Sequence, residues 1–170
     1  MIFNFDFYSL YLWHENNVTL LFIAEKRKGM KIQDILAISG EPGLYKYVAS
    51  SRNGIIAESL VNGARKNFSG THSRVSSLAE ISIFTDDEDV ALTQVLGDLY
   101  AYTKGEQTVS HKASEAELRE VFGQVIPGYD RERFHLSDMR KVAQWFNILV
   151  AAGMTDFSIE EPEQEEQTEE

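Results

Sequence analysis

Two turn signals, Pro42-Gly43 and Asn53-Gly54, constrain this chain more than any other feature. They divide the stretch from Ile35 to Leu60 into short strand-like runs: an apolar run ending at Ile38, a second from Leu44 to Ser51 and a third from Ile55 to Val61. Pro42 presets one turn angle and Gly43 permits the positive φ that follows it. Asn53-Gly54 is the pair a type I′ hairpin turn favours, because both of its central positions need φ above zero. A valine at Gly54 is therefore expected to destabilise the hairpin. With Asn53 and Gly54 as the loop, Arg52 faces Ile55, Ala49 faces Glu58, Tyr47 faces Leu60 and Tyr45 faces Asn62. One face then carries Tyr45, Tyr47, Glu58 and Leu60, and the other Leu44, Lys46, Val48, Ala57 and Val61; a three-residue loop with a bulge exchanges the faces. Tyr45, Tyr47 and Glu58 form a candidate binding face, since tyrosine offers apolar area with a polar tip, although packing under a helix is the commoner use of such residues.

Residues 62–73 are polar and read as a long turn or irregular excursion; Arg65, Lys66 and Arg74 make the densest positive patch of the body. Residues 79–84 alternate as a further strand, with Ile81 and Ile83 on one side. Several short strands joined by such turns imply a small barrel. The period then changes: Leu92, Val95, Leu96, Leu99 and Tyr102 recur at helical spacing, with Asp87 as the expected N-cap. Residues 104–113 read as a linker. Ser114 and Glu117 form a capping box ahead of the stripe Leu118, Val121, Phe122 and Val125, which Pro127-Gly128 ends. A second helix, expected to be capped by Ser137, carries Met139, Val142, Phe146, Leu149 and Val150 and ends at Gly153. The segment 154–170 is dominated by glutamate and glutamine and is expected to be a disordered acidic tail, so that deleting 156–170 leaves thermal stability nearly unchanged. The organisation is α+β: a β-barrel with a capping helix over 30–103, a linker over 104–113, a two-helix domain over 114–153 and the tail.

Absence of cysteine excludes disulfides, thiolate metal sites and cysteine nucleophiles, and it points to a reducing, cytoplasmic setting. The net charge of −11 says less than its distribution: positions 156–170 contribute −8 and residues 1–29 balance, which leaves −3 for residues 30–155. A body so nearly neutral neither advertises nor forbids a polyanion. Residues 1–29 are apolar and aromatic, but Asp6 comes early and the basic cluster follows the apolar run, unlike a signal peptide. His14-Glu15-Asn16-Asn17 interrupts them too soon for a membrane span. Glu25-Lys26-Arg27-Lys28-Gly29 can be written in purine-rich codons directly before Met30, so 1–29 reads as a misassigned start whose last codons are a ribosome-binding region.

No constellation of catalytic type stands out. Asp86-Asp87-Glu88-Asp89 lacks the alternation, glycine and distal glutamate of a calcium loop, and capping is its expected role. The four histidines are scattered without metal-ligand spacing. Nucleophile-elbow, phosphate-loop and dinucleotide motifs are missing. No metal or other cofactor is expected. The connector Pro127–Leu136 is too long for a helix-turn-helix, and its arginines are offset by acids. Its Tyr129, Asp130, Arg131 and Arg133 are kept as a candidate loop site, with Tyr129 and Trp145 packing and Asp130 pairing locally with an arginine as the plainer account.

An ordered string of short motifs runs through the chain: Ile38-Ser39-Gly40, Pro42-Gly43-Leu44-Tyr45-Lys46, Gly54-Ile55-Ile56 with Glu58-Ser59-Leu60, and Ser77-Leu78 leading to Ile81-Ser82-Ile83-Phe84-Thr85. Tyr129-Asp130, Ser137-Asp138 and Trp145-Phe146-Asn147 continue it. In these motifs, from about Met30 to Val150, the chain resembles an uncharacterised Bacteroidota family whose first domain is a domain of unknown function. The resemblance implies an SH3-like barrel followed by helices and no particular activity; Ala91 stands where the family pattern leads one to expect proline. The functional expectation is a non-enzymatic interaction or adaptor protein with a protein partner and no membrane association. A nucleic-acid- or ribosome-associated protein using Arg65, Lys66 and Arg74 is the alternative, and an enzyme is disfavoured.

Overall fold

In the computed structural model, which describes residues 30–69 and 73–159, the turn after the first strand forms as its residues dictate, with φ of +81° at Gly43. It joins β1 (Ile35–Ile38) to β2 (Tyr45–Ser51), which pairs with β3 (Gly54–Ser59) and through it with β4 (Arg65–Ser69). A short β5 (Val75–Ser77) returns to the other side of β1, so the antiparallel sheet runs β4-β3-β2-β1-β5. A two-stranded sheet, β6 (Ser82–Ile83) with β7 (Val90–Ala91), leads into α1 (Leu92–Tyr102), followed by α2 (Glu115–Val125) and α3 (Leu136–Ala151). The α+β class stands, and the described residues from Lys31 on belong to one compact unit.

The expected closed barrel does not form among the described residues: β4 pairs with β3 alone and β5 with β1 alone. A β5 of three residues offers little backbone for a closing ladder. Shared side-chain packing takes its place, because Phe68 of β4 and Val75 of β5 both join the cluster of Leu36, Ile38, Tyr45 and Ala57. β1 is buried on both sides, since Ile35, which alternates with Leu36, is also fully covered. Two strand expectations are corrected. The excursion 62–73 contains β4, and the strand expected over 79–84 is a 3₁₀ turn at Leu78–Glu80 followed by the two residues of β6.

The β2–β3 hairpin is corrected as well. Its loop is Arg52-Asn53, Gly54 already pairs with Ser51, and neither Asn53 nor Gly54 has positive φ. A bulge at Val48 then shifts the register, so Tyr47 lies opposite Ala57, Lys46 opposite Glu58 and Tyr45 opposite Ser59. Gly54 is required for a different reason: a Cβ there would collide with the Phe68 backbone carbonyl, 2.8 Å from the Phe68 carbonyl carbon and 3.0 Å from the Ser69 Cα.

The helices bury the stripes their periodicity predicts: Leu92, Val95, Leu96 and Leu99; Leu118, Val121 and Phe122; Met139, Val142, Phe146 and Leu149. Three stripe residues depart from this: Tyr102 is half exposed at the end of α1, and Val125 and Val150 are only partly buried. Ser114 and Glu117 make the reciprocal capping box, with Ser114 Oγ accepting from the Glu117 amide and Glu117 Oε2 from the Ser114 amide at 2.9 Å. The other two caps differ from expectation. Asp87 lies in the β6–β7 turn and α1 starts at Leu92, whose amide donates to the Ile81 carbonyl at 2.8 Å. At α3 the N-cap is His135, whose amide donates to Asp138, which leaves Ser137 within the first turn.

The segment read as a linker is fastened to α3: the Thr108 amide donates to Asn147 Oδ1 at 2.8 Å, and Asn147 Nδ2 donates to the Thr108 and Val109 carbonyls. The tail expectation also changes, since Met154 and Phe157 are buried, Phe157 lying 5.8 Å from the Tyr100 ring and 6.2 Å from that of Phe146. A run judged by its glutamates hides two apolar anchors at its start. The expectations for residues 1–29 and 160–170 lie outside the described residues.

Candidate functional site

α3 has one side in the core and another beside the sheet. Four residues separate Lys141 from Trp145, so they share a face, and that face lies off the buried stripe. Gln144, Lys141 and Trp145 form one wall of a groove of about 440 Å³ whose other wall is the β1–β2 turn from Ser39 to Gly43 with Arg74, Ser76 and Ile81. Past Ile81, Lys141 and Trp145 the groove continues into a more apolar recess of about 260 Å³ lined by Ile83, Phe84, Phe134 and Val142. Gly43 keeps the turn close, since a Cβ there would touch Val61 at 3.3 Å and Ile148 of α3 at 3.7 Å.

The charges of the groove are unequally satisfied. Glu41 at the rim accepts from Lys66 Nζ at 2.7 Å and the Tyr45 hydroxyl at 3.0 Å. Those two hydrogen bonds hold its carboxyl below the ordinary glutamate range. Asp138 has Lys141 at 3.6 Å. Arg133 lies 3.5 Å from the Phe84 ring centroid, a cation–π stack with no anion attached among the described residues. Arg74 is exposed and its side chain has no hydrogen bond or ion pair among the described residues. The groove therefore presents cationic groups in excess along an apolar floor.

The residues singled out from sequence scatter. Tyr45 is 3% exposed, edge-on to Phe68 with ring centroids 5.1 Å apart, and burial followed by the Glu41 carboxylate pushes its phenol up. Tyr47 is 37% exposed and its hydroxyl meets Ser50 Oγ at 2.9 Å. Glu58 points to the opposite face, where it pairs with Arg65 at 2.7 Å. The three do not make a common face. The basic patch disperses too: Arg65 and Lys66, neighbours in β4, are taken by Glu58 and Glu41, while Arg74 stands at the groove.

In the α2–α3 loop, Tyr129 is buried, forms an isolated bridge with Thr85 and receives a 3.4 Å hydrogen bond from Arg119. Asp130 does not pair with an arginine; its Oδ1 accepts the amides of Glu132 and Arg133 at 2.8 and 3.1 Å, and its own amide donates to the Phe84 carbonyl. That loop holds Arg133 over Phe84, so it shapes the end of the groove, while Arg131 points to a separate open hollow. Sequence reading missed Lys141 and Phe84 as site residues and gave Trp145 only a packing role. The legible signal was the Lys141/Trp145 spacing beside an already complete apolar stripe.

The groove lies where two families of sequence meet. Residues 32–78 match the model of a domain of unknown function, DUF5606, and residues 81–149 that of a second, DUF6852. A solution NMR structure of a structural-genomics target from Bacteroides vulgatus is similar at 40% identity with a TM-score of 0.60, over 74% of this chain and 90% of that one. The chain belongs to the Bacteroidota family of unknown function that its sequence signature resembles. No curated protein matches it.

Proposed function

We propose that the protein is a non-enzymatic, cytoplasmic interaction module and that the groove beside Trp145 is its docking surface. The observation that carries this reading is the contrast inside the groove: an apolar floor and a half-buried tryptophan next to Arg74, whose side chain has no partner among the described residues. Glu41 at the rim is held low by its hydrogen bonds from Lys66 and Tyr45, so this carboxylate stays charged and engaged within the fold. We read the meander order of the main sheet as an opened relative of the SH3-like barrel. That kinship is an analogy of fold, and the functional reading rests on the groove.

A photo-crosslinking residue at Gln144, compared with one at Tyr47 on the ribbon, tests the proposal in the native cell. Discrete adducts from position 144 that are missing from position 47 are expected. Identical adducts from both positions, or none from 144, would overturn it.

A further inference from the structure

Resting on the docking role of the groove, we propose that its occupant is a short acidic peptide segment with an apolar side chain among its carboxylates. The carboxylates would meet Arg74 and Lys141, and the apolar side chain would enter the recess between Trp145, Ile83 and Phe84. Charge complementarity points to this chemistry. Three cations, Arg74, Lys141 and Arg133, line the groove, and its two carboxylates, Glu41 and Asp138, are already engaged by Lys66 and Lys141. A ligand carboxylate would pair with Arg74, which has no ion pair among the described residues, and would give Lys141 a partner beside Asp138, at the edge of an apolar surface where such pairs are less screened than in open solvent.

The apolar part of the ligand follows from the recess. Its floor of Ile83, Phe134 and Val142 is roofed by Trp145, so a purely ionic ligand would leave it unfilled. Nucleic acid fits less well. Phosphate backbones are gripped by many cations at once, and the three here sit in a chain of net charge −11. The Phe84 ring, which a base would stack on, already carries the Arg133 guanidinium. A few carboxylates around one anchor match three cations around one recess.

The probe is a fluorescein-labelled decapeptide alternating glutamate with leucine, added to the full chain and read by fluorescence anisotropy. Saturable binding that weakens with salt is expected, reduced at least about tenfold when the glutamates become glutamines and in an Arg74→Gln/Lys141→Gln variant. Trp145→Ala should lose binding, and Trp145→Phe, which keeps an aromatic roof, should recover part of it. Arg52→Gln/Arg65→Gln, two cations of the ribbon that do not line the groove, should bind as the wild type does. Equal binding of the glutamine peptide would overturn the acidic chemistry and leave the docking role standing. Gln144 crosslinks in cells without binding of either peptide would do the same. Tighter binding of a labelled deoxythymidine decamer would replace the peptide with nucleic acid. Peptide binding that emerges only after removal of residues 160–170 would make this chain's own glutamates the occupant and overturn the assignment to a separate partner.

Discussion

The β2–β4 ribbon and the α3 groove are both rich in aromatic and charged side chains, yet the fold treats them in opposite ways. On the ribbon the interactions are taken up within the fold: Tyr45 and Lys66 share Glu41 of the β1–β2 turn, at the groove's rim, Glu58 pairs with Arg65, Tyr47 with Ser50, and Ser51 donates to Asn67. In the groove the Arg74 side chain has no partner among the described residues, and the half-buried Trp145 lines the cleft. Residues of similar chemistry thus hold the structure in one region and stay available in the other. Substitutions on the ribbon should be read out as stability, and substitutions in the groove as binding.

The largest effect is expected at Gly54. Gly54→Ala drives a Cβ into the Phe68 carbonyl, and a backbone neighbour cannot rotate away as a side chain can. Relief requires β4 to move off β3, which also withdraws Phe68 from Tyr45. A loss of about 4 kcal/mol is expected in urea unfolding. A loss under about 1 kcal/mol would show that β4 is loosely held and that the ribbon is not the rigid half. Next comes Phe157→Ala, at about 3 kcal/mol. It opens the side of α3 away from the groove, and removing 156–170 should cost at least as much, whereas a truncation after Ile159 should be nearly silent. Equal stability of the two truncations would place no weight on Phe157.

A smaller, pH-dependent effect reads the set that ties the ribbon to the rim of the groove. Glu41 is lowered in the folded state, so its contribution is complete above its unfolded value and disappears as pH falls through the folded one. Lys66, raised by its bond to Glu41, and Tyr45, raised first by burial, contribute fully below their unfolded values and lose that contribution as pH rises through the folded ones. Stability should therefore fall on an acid limb below about pH 4 and on an alkaline limb above about pH 10. Glu41→Gln should flatten the acid limb and return the Tyr45 phenol, followed by its ultraviolet absorbance, toward its ordinary range. An unchanged tyrosine titration would show that burial alone holds Tyr45.

What could be read in the sequence follows from how local each cause is. The helix stripes, the Ser114–Glu117 box and the Gly43 turn depend on neighbours within a few residues, and all three form as expected. β4 could not be read because Arg65-Lys66-Asn67-Phe68-Ser69 is an edge strand with one buried side chain, so alternation never shows. Gly54 was recognised as necessary for the wrong reason, since its constraint comes from a strand that begins eleven residues later. Phe157 was hidden by the composition around it. The groove joins residues from 39 to 145, and only its Lys141/Trp145 pair carried a local signal.

The smallest effect is the sharpest form of the comparison, because it applies one chemical change to both regions. Lys66→Gln removes a 2.7 Å ion pair and leaves Glu41 with Tyr45 alone, whereas Arg74→Gln removes a charge that no described group answers. Surface substitutions without such a partner usually move stability by less than about 0.5 kcal/mol. Arg74→Gln should stay within that range at neutral pH and keep the same melting temperature in low and high salt. Lys66→Gln should lower the melting temperature in low salt, with the difference shrinking as salt screens the pair it removes. If Arg74→Gln destabilises the fold as much as Lys66→Gln does, Arg74 is already spoken for within the protein, and the groove loses the free cation on which its contrast with the ribbon depends.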